Sequence, residues 1–223
     1  MWTAGHNVPL VRFADRVRSI LSTGIDAYPP HLDALEPFDE IVSWYGTNRP
    51  EFRAAVSHLP IRFLDALPAT NQIHATDFYM RQVAGREGSI PEIPCERVDC
   101  DFVAIHPFSG SLKKNWPYFG ELASRLNRRV LFCVSSEQSW PGAVQYENLY
   151  ELAQWLATAS LYVGNDSGIT HLAAAVGVPV VVIFRASDPG VWLPRSRARV
   201  IGLQDPTVED TARALHRISE LCP

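Results

Sequence analysis

Apolar and polar positions follow a clear rhythm in the second part of this 223-residue chain. Compact apolar runs predict strands over Phe102–His106, Arg129–Val134, Leu161–Val163, Val178–Phe184 and Arg199–Ile201. Between and after them, helical patterns cover Pro117–Leu126, Leu149–Thr158, Ile169–Val176 and Val208–Leu221. Strands separated by one helix each predict a parallel sheet with right-handed crossovers, and the apolar run VPVVVIF suits a central strand covered on both faces. In such a doubly wound sheet, ligands sit outside the carboxyl ends of the strands. The loops after His106, Val134, Val163 and Phe184 are therefore where chemistry is expected.

The first part is less regular. Short apolar runs at Val17–Leu21, Glu40–Tyr45 and Ile61–Leu64 alternate with helix-compatible pieces around Glu51–His58 and Thr76–Val83, which describes a small α/β lobe. Gly85–Asp101 has the glycine, proline and scattered charge of a linker, so the expected division is 1–95 and 96–223.

Composition limits the functional classes. With 47% hydrophobic and 20% charged residues the chain has enough apolar material for a real core. A formal net charge of −4 gives no global basic field for nucleic acid or an anionic membrane, so any anion site has to be local. Cys95, Cys100, Cys133 and Cys222 show neither metal-site spacing nor the density of a disulfide scaffold and read as reduced thiols. No apolar run is long enough for a membrane span and no signal-peptide pattern opens the chain, so a cytoplasmic protein is expected, associated at most peripherally with the inner face of the membrane.

Three loops carry candidate chemistry. After Leu161–Val163 comes Gly164-Asn165-Asp166-Ser167-Gly168-Ile169-Thr170-His171, a polar turn entering an alanine-rich helix. Asn165 or Asp166 suits the cap, Ser167 and Gly168 would present amides at the positive helix end, and His171 follows one turn on. After Phe102–His106, the stretch Ser109-Gly110-Ser111-Leu112-Lys113-Lys114 precedes Trp116-Pro117. Backbone donors and Lys114 suit a diphosphate there, without the order of a P-loop. Glu137, in the loop after Arg129–Val134, is a carboxylate that suits a ribose or base. The loop Phe184-Arg185-Ala186-Ser187-Asp188-Pro189 reads as a pocket wall or a plain connection, and the tryptophans as packing.

In combination, His-Pro followed by Ser-Gly-Ser, Lys-x-Trp-Pro, Asn148-Leu149-x-Glu151-Leu152-Ala153 and Gly-Asn-Asp-Ser-Gly-x-x-His-Leu-Ala-Ala-Ala-x-Gly-x-Pro resemble glycosyltransferase family 9, the ADP-heptose:lipopolysaccharide heptosyltransferases. The resemblance spans about Phe102–Asp188. It implies a GT-B-like α/β fold of two Rossmann-like lobes, here with an incomplete N-terminal acceptor-side lobe and a C-terminal nucleotide-sugar-binding lobe. It also implies inverting, metal-independent transfer of a heptose or related sugar, without a cofactor, from a nucleotide-sugar donor to a lipopolysaccharide-core or similar glycan acceptor. Carried over residue by residue, Ser109, Gly110 and Lys114 meet the donor diphosphate and Glu137 the nucleoside, with Ser111 a further substrate-binding residue. Asp166, Ser167, Gly168 and His171 meet the sugar and phosphate region.

The family's base is an Asp in an N-terminal Gly-Asp loop, and no Gly-Asp pair precedes Gly85. Met1–His6 resembles a later strand and loop of that lobe, so the expectation is either a truncated chain or a diverged member using another base, with His6, Asp15 and His31 as candidates. The catalytic residue is left open. An incomplete lobe also predicts uncovered edges that favour self-association. Two other readings are a non-catalytic nucleotide-sugar-binding protein that has lost the catalytic loop, and a nucleotide-sugar epimerase, the latter disfavoured because both motif loops occur together.

Overall fold

A computed structural model describes residues 1–27, 29–68, 73–98 and 100–220. The chain forms two compact units, Met1–Thr70 and Asn71–Pro223.

In the first unit, β1 (Trp2–Thr3) pairs in parallel with β2 (Arg18–Ser19), and β3 (Ile41–Ser43) with β4 (Ile61–Phe63). Between β3 and β4 lies α1 (Pro50–Ala55), started by Pro50 in its first turn, where a missing N–H costs nothing. Its inward residue Phe52 joins Ile25, Leu35 and Val56 in a small core and meets Tyr45 and Phe63 edge-on at 5.2 and 6.3 Å. Phe13, Leu21 and Leu67 remain exposed.

The second unit begins earlier than composition suggests, because α2 (Ala75–Ala84) packs within it. Arg195 Nη1 and Nη2 each donate to one oxygen of Asp77 at 2.5 Å, and the Gly88 amide adds a bond of 2.8 Å. The Arg195 guanidinium, followed by that amide, holds the Asp77 carboxyl down at about 2. At the start of α2, His74 Nδ1 accepts from the Thr76 amide, so its Nε2 carries the hydrogen that it donates to the Leu193 carbonyl at 2.8 Å. The stretch 86–98 has no helix or strand, yet it belongs to this unit: the Ile93 amide donates to the Ala175 carbonyl at 2.9 Å and Arg97 Nη1 to the Ala157 carbonyl at 2.6 Å.

The remaining elements are β5 (Cys100–His106), α3 (Phe119–Arg125), β6 (Val130–Ser135), β7 (Val144–Tyr146), α4 (Leu149–Leu156), β8 (Ala159–Asn165), α5 (Gly168–Ala175), β9 (Val180–Phe184), α6 (Pro189–Trp192), β10 (Val200–Gln204) and α7 (Val208–Glu220). All six strands are parallel, in the order β10-β9-β8-β5-β6-β7. Relative to chain order this is 3-2-1-4-5-6 read from β7, the dinucleotide-binding arrangement, with the order reversing between β5 and β8. The expected strands and helices all form, and β7 and α6 are additions. Pro117 lies in the turn before α3 instead of inside it.

Every residue of β9 is buried, as expected for a central strand covered on both faces. On one face Trp116, Phe119 and Leu122 meet Leu215 and Ile218 of α7 over Val103, Ile105, Val163 and Ile183. Asn148 caps α4 through the Tyr150 amide at 2.8 Å, while Thr207 and Asp210 close a reciprocal box at the start of α7. Gly177, at φ +81°, ends α5 in the left-handed region that glycine enters without strain. Among the described residues no helix is long and apolar enough to cross a membrane. Cys95, Cys100 and Cys133 are free thiols, and burial pushes the Cys133 thiol up to about 12. Cys222 and the expected last helical residue, Leu221, lie outside the described residues.

Candidate functional site

The strand order reverses between β5 and β8, the point in such sheets outside whose carboxyl ends ligands sit, and the two sharpest sequence motifs leave the sheet there. Asn165, the last residue of β8, is fully buried and joins them: its Oδ1 accepts from the Trp116 amide at 2.8 Å and its Nδ2 donates to the Pro107 carbonyl at 2.9 Å. Asn165 therefore fastens the 107–116 loop over β8. The helix cap expected of Asn165 or Asp166 is supplied instead by Ser167, whose Oγ accepts from the Thr170 amide. That leaves the Gly168 and Ile169 amides as the unpaired donors every helix start exposes. A Cβ added at Gly168 would meet no protein atom within 4 Å, so the space in front of them is open.

Asp166 is the electrostatic centre of the site. Its amide donates to the Ile183 carbonyl at 3.0 Å, which sets its backbone on β9, and only 4% of the residue is exposed. Lys114 Nζ and Ser187 Oγ both donate to its Oδ2 at 2.6 Å. His171 Nε2 stands 3.6 Å from Oδ1, beyond the usual hydrogen-bond distance. Burial alone would raise the Asp166 carboxyl, but His171, Lys114 and Ser187 outweigh it and hold the group at about 2. We assign the larger part of that hold to Lys114 and Ser187 on distance. The result is an ionised carboxylate, with a cation reaching it from the solvent-facing side, beside an open helix start.

Lys114, Asp166 and His171 thus come together, with Ser167 and Gly168 at the same mouth. Ser109 is engaged inside its own loop, its hydroxyl within 2.8 Å of both the Ser111 carbonyl and Asn115 Oδ1. Gly110 and Ser111 are exposed, and nothing lies within 4 Å of a Cβ added at Gly110. Glu137 is exposed in the turn after β6, the strand flanking β5 on the side away from Asp166. His106, at the end of β5, is buried and lies 2.8 Å from the Cys133 carbonyl through Nδ1; burial pushes its pKa down despite that bond, so the ring is neutral and Nδ1 is its donor. His6, Asp15 and His31 are exposed residues of the first unit.

Two residues of the loop after β9 belong to the site and were read in sequence only as a wall or connection. Ser187 binds Asp166, and Arg185 Nη1 donates to the Asn115 carbonyl at 2.8 Å, bracing the loop that carries Lys114. The available signal was the position of this loop, next in the sheet to the loop of Asp166. Among the described residues no group of three or more His, Cys, Asp or Glu is placed to hold a metal ion.

The arrangement suits a ligand with both anionic oxygens and hydroxyls, the former for Lys114 and the helix-start amides, the latter for the carboxylate. Residues 83–215 match the model of glycosyltransferase family 9 (heptosyltransferase). Lipopolysaccharide heptosyltransferase 2 of Salmonella typhimurium is 31% identical over 131 residues, covering 47% of this chain and 38% of that protein. The chain thus spans well under half the length of that relative. The structure of E. coli heptosyltransferase WaaC with ADP superposes with a TM-score of 0.69 over 97% of this chain and 89% of that one, at 13% identity. E. coli ADP-heptose lipopolysaccharide heptosyltransferase II gives a TM-score of 0.61 over 99% and 88%, also at 13% identity. At such identities the likeness establishes the GT-B-like fold.

Proposed function

Because the chain belongs to glycosyltransferase family 9, we propose that it transfers a heptose or related sugar from a nucleotide-diphosphate sugar, of the ADP-heptose kind, to a lipopolysaccharide-core or similar glycan acceptor. The observation that carries this reading is the Lys114–Asp166 pair at the strand-order reversal, set beside the open start of α5. As the sugar's C1–O bond breaks, negative charge collects on the departing diphosphate. Lys114 and the Gly168 and Ile169 amides offset it, worth several kcal/mol when donors are preorganised, on the order of 3 kcal/mol for one such group. The Asp166 carboxylate, acceptor-only while ionised, takes hydrogen bonds from sugar hydroxyls and orients the ring. Attack by the acceptor hydroxyl from the face opposite the leaving group, its proton passing to a general base or to water, inverts the anomeric carbon, and in this reading no metal is needed because protein donors neutralise the diphosphate. Ser109, Gly110 and Ser111 border the diphosphate and Glu137 the nucleoside. The reaction belongs in the cytoplasm or at the inner face of its membrane.

The test is calorimetric titration of the chain with ADP, GDP, UDP and ADP-heptose in the presence of EDTA, followed by product analysis with labelled donor and a lipopolysaccharide-core acceptor. Saturable binding of one nucleotide, abolished in Asp166→Ala, together with a labelled glycan, is the expected result. Donor binding with no glycan product leaves a binding protein without transfer, and free epimerised donor refutes the transferase reading.

A further inference from the structure

The sequence marks the loop after β9 only as a pocket wall or a connection, yet it supplies one of the two hydrogen bonds on Asp166 Oδ2. Resting on the donor-site reading above, we propose that Ser187 is a positioning residue: it keeps the Asp166 carboxylate in register when a donor diphosphate draws Lys114 away.

Lys114 and Ser187 share Oδ2 at equal distances of 2.6 Å, but their situations differ. The Lys114 side chain is 32% exposed and sits on a flexible stem, so a phosphate oxygen arriving from solvent can compete for its ammonium. Ser187 lies on a braced backbone. The next residue, Asp188, caps α6 by accepting from the Gly190 amide at 2.8 Å, and Arg185, two residues earlier, holds the Asn115 carbonyl. Once Lys114 turns to the diphosphate, the carboxylate retains His171 at 3.6 Å, which is no hydrogen bond, and Ser187. A buried carboxylate without a donor is costly and either rotates or takes up a proton. Ser187 prevents both. It leaves Oδ2 satisfied and Oδ1 directed toward His171, where a sugar hydroxyl can reach it, and it lowers the cost of releasing Lys114. Ser187 touches neither diphosphate nor reacting atoms in this scheme; it acts through Asp166.

This scheme makes a specific coupling prediction, read by ADP titration of the full chain as wild type, Ser187→Ala, Ser187→Thr, Lys114→Ala and the Ser187→Ala/Lys114→Ala pair. Ser187→Ala weakens ADP binding about tenfold, the scale of a lost hydrogen bond to a charged group. Ser187→Thr, which keeps the hydroxyl, restores the affinity to within about twofold on the same scale. In the Lys114→Ala background no ammonium has to be withdrawn, so adding Ser187→Ala changes the affinity much less than tenfold. Wild-type affinity in Ser187→Ala, an equal loss in both backgrounds, or failure of threonine to rescue would each overturn the proposal, the last two by revealing general loosening of the fold. A wild-type chain that binds none of ADP, GDP and UDP removes the donor reading itself, and this inference with it.

Discussion

Replacing Lys114 by alanine tests the central electrostatic account through stability, independently of any ligand. The drop of the Asp166 carboxyl from 3.8 to about 2 measures how much its folded surroundings favour the ion. At about 1.36 kcal/mol per pH unit the drop corresponds to roughly 2 kcal/mol. Part of the Lys114 stem faces water, and screening there reduces the share recoverable on mutation to about 1–2 kcal/mol. The sign follows from the direction: a depressed carboxylate contributes stability above its unfolded value, near 3.9, and loses it as pH falls through about 2. Lys114→Ala therefore lowers stability by about 1–2 kcal/mol at pH 7, and the gap narrows as pH falls from about 4 towards 2. Urea unfolding followed by tryptophan fluorescence, for Lys114→Ala, Asp166→Asn and the pair, is the assay. With the charge removed in Asp166→Asn, Lys114→Ala costs little, so the cycle returns a coupling near the single-mutant value. Equal costs of Lys114→Ala in both backgrounds would refute the assignment of Asp166 ionisation to this pair.

Other contacts make equally direct predictions. Asn165→Ala orphans the Trp116 amide and the Pro107 carbonyl in a buried setting, costing about 2–4 kcal/mol, and limited proteolysis should then cut within 107–116 first; an unchanged melting temperature and cleavage pattern would contradict that fastening role. Gly164→Ala places a Cβ 2.5 Å from the Tyr162 hydroxyl and 3.0 Å from Thr170 Oγ1, both buried, and is expected to destabilise by about 1–3 kcal/mol. Tyr162→Phe on top of it should recover part of the loss in urea midpoint, and no recovery would mean the clash lies elsewhere. In thiol labelling of the native chain, exposed Cys100 reacts readily while Cys133, buried and pushed up to about 12, reacts only on unfolding; labelling of native Cys133 would show that its strand opens.

Legibility varied with the range of the signal. The strands around Phe102–His106 and Val178–Phe184 were plain because each is a continuous apolar run that no amphipathic helix would carry. Three-residue β7, between Pro141-Gly142 and the Asn148 cap, offers only an alternating Val144-Gln145-Tyr146 and is too short to stand out. The composition of 85–101 marked irregular backbone, which holds over 86–98 while β5 already starts at Cys100, but α2 was assigned to the earlier lobe because the Asp77–Arg195 pair joins residues 118 apart. For the site, the residue types of the Lys114 and Asp166 loops were readable from motif order, whereas the cap was misassigned: Asn165 is turned inward to bind the neighbouring loop, leaving Ser167 to cap.

The sequence by itself determined the βα rhythm of the second unit, the two loops that carry Lys114 and Asp166, and the glycosyltransferase family 9 motif set. These are local: periodicity, capping and turn chemistry are written within a few neighbouring residues. Only the tertiary structure decided which loops meet. Strand order brings β5, β8 and β9 side by side, so that Asp166 faces Lys114 from 52 residues earlier and Ser187 from 21 later. The same convergence decided that its carboxyl stays ionised, because burial and its partners act on it together and neither is a property of the residue alone.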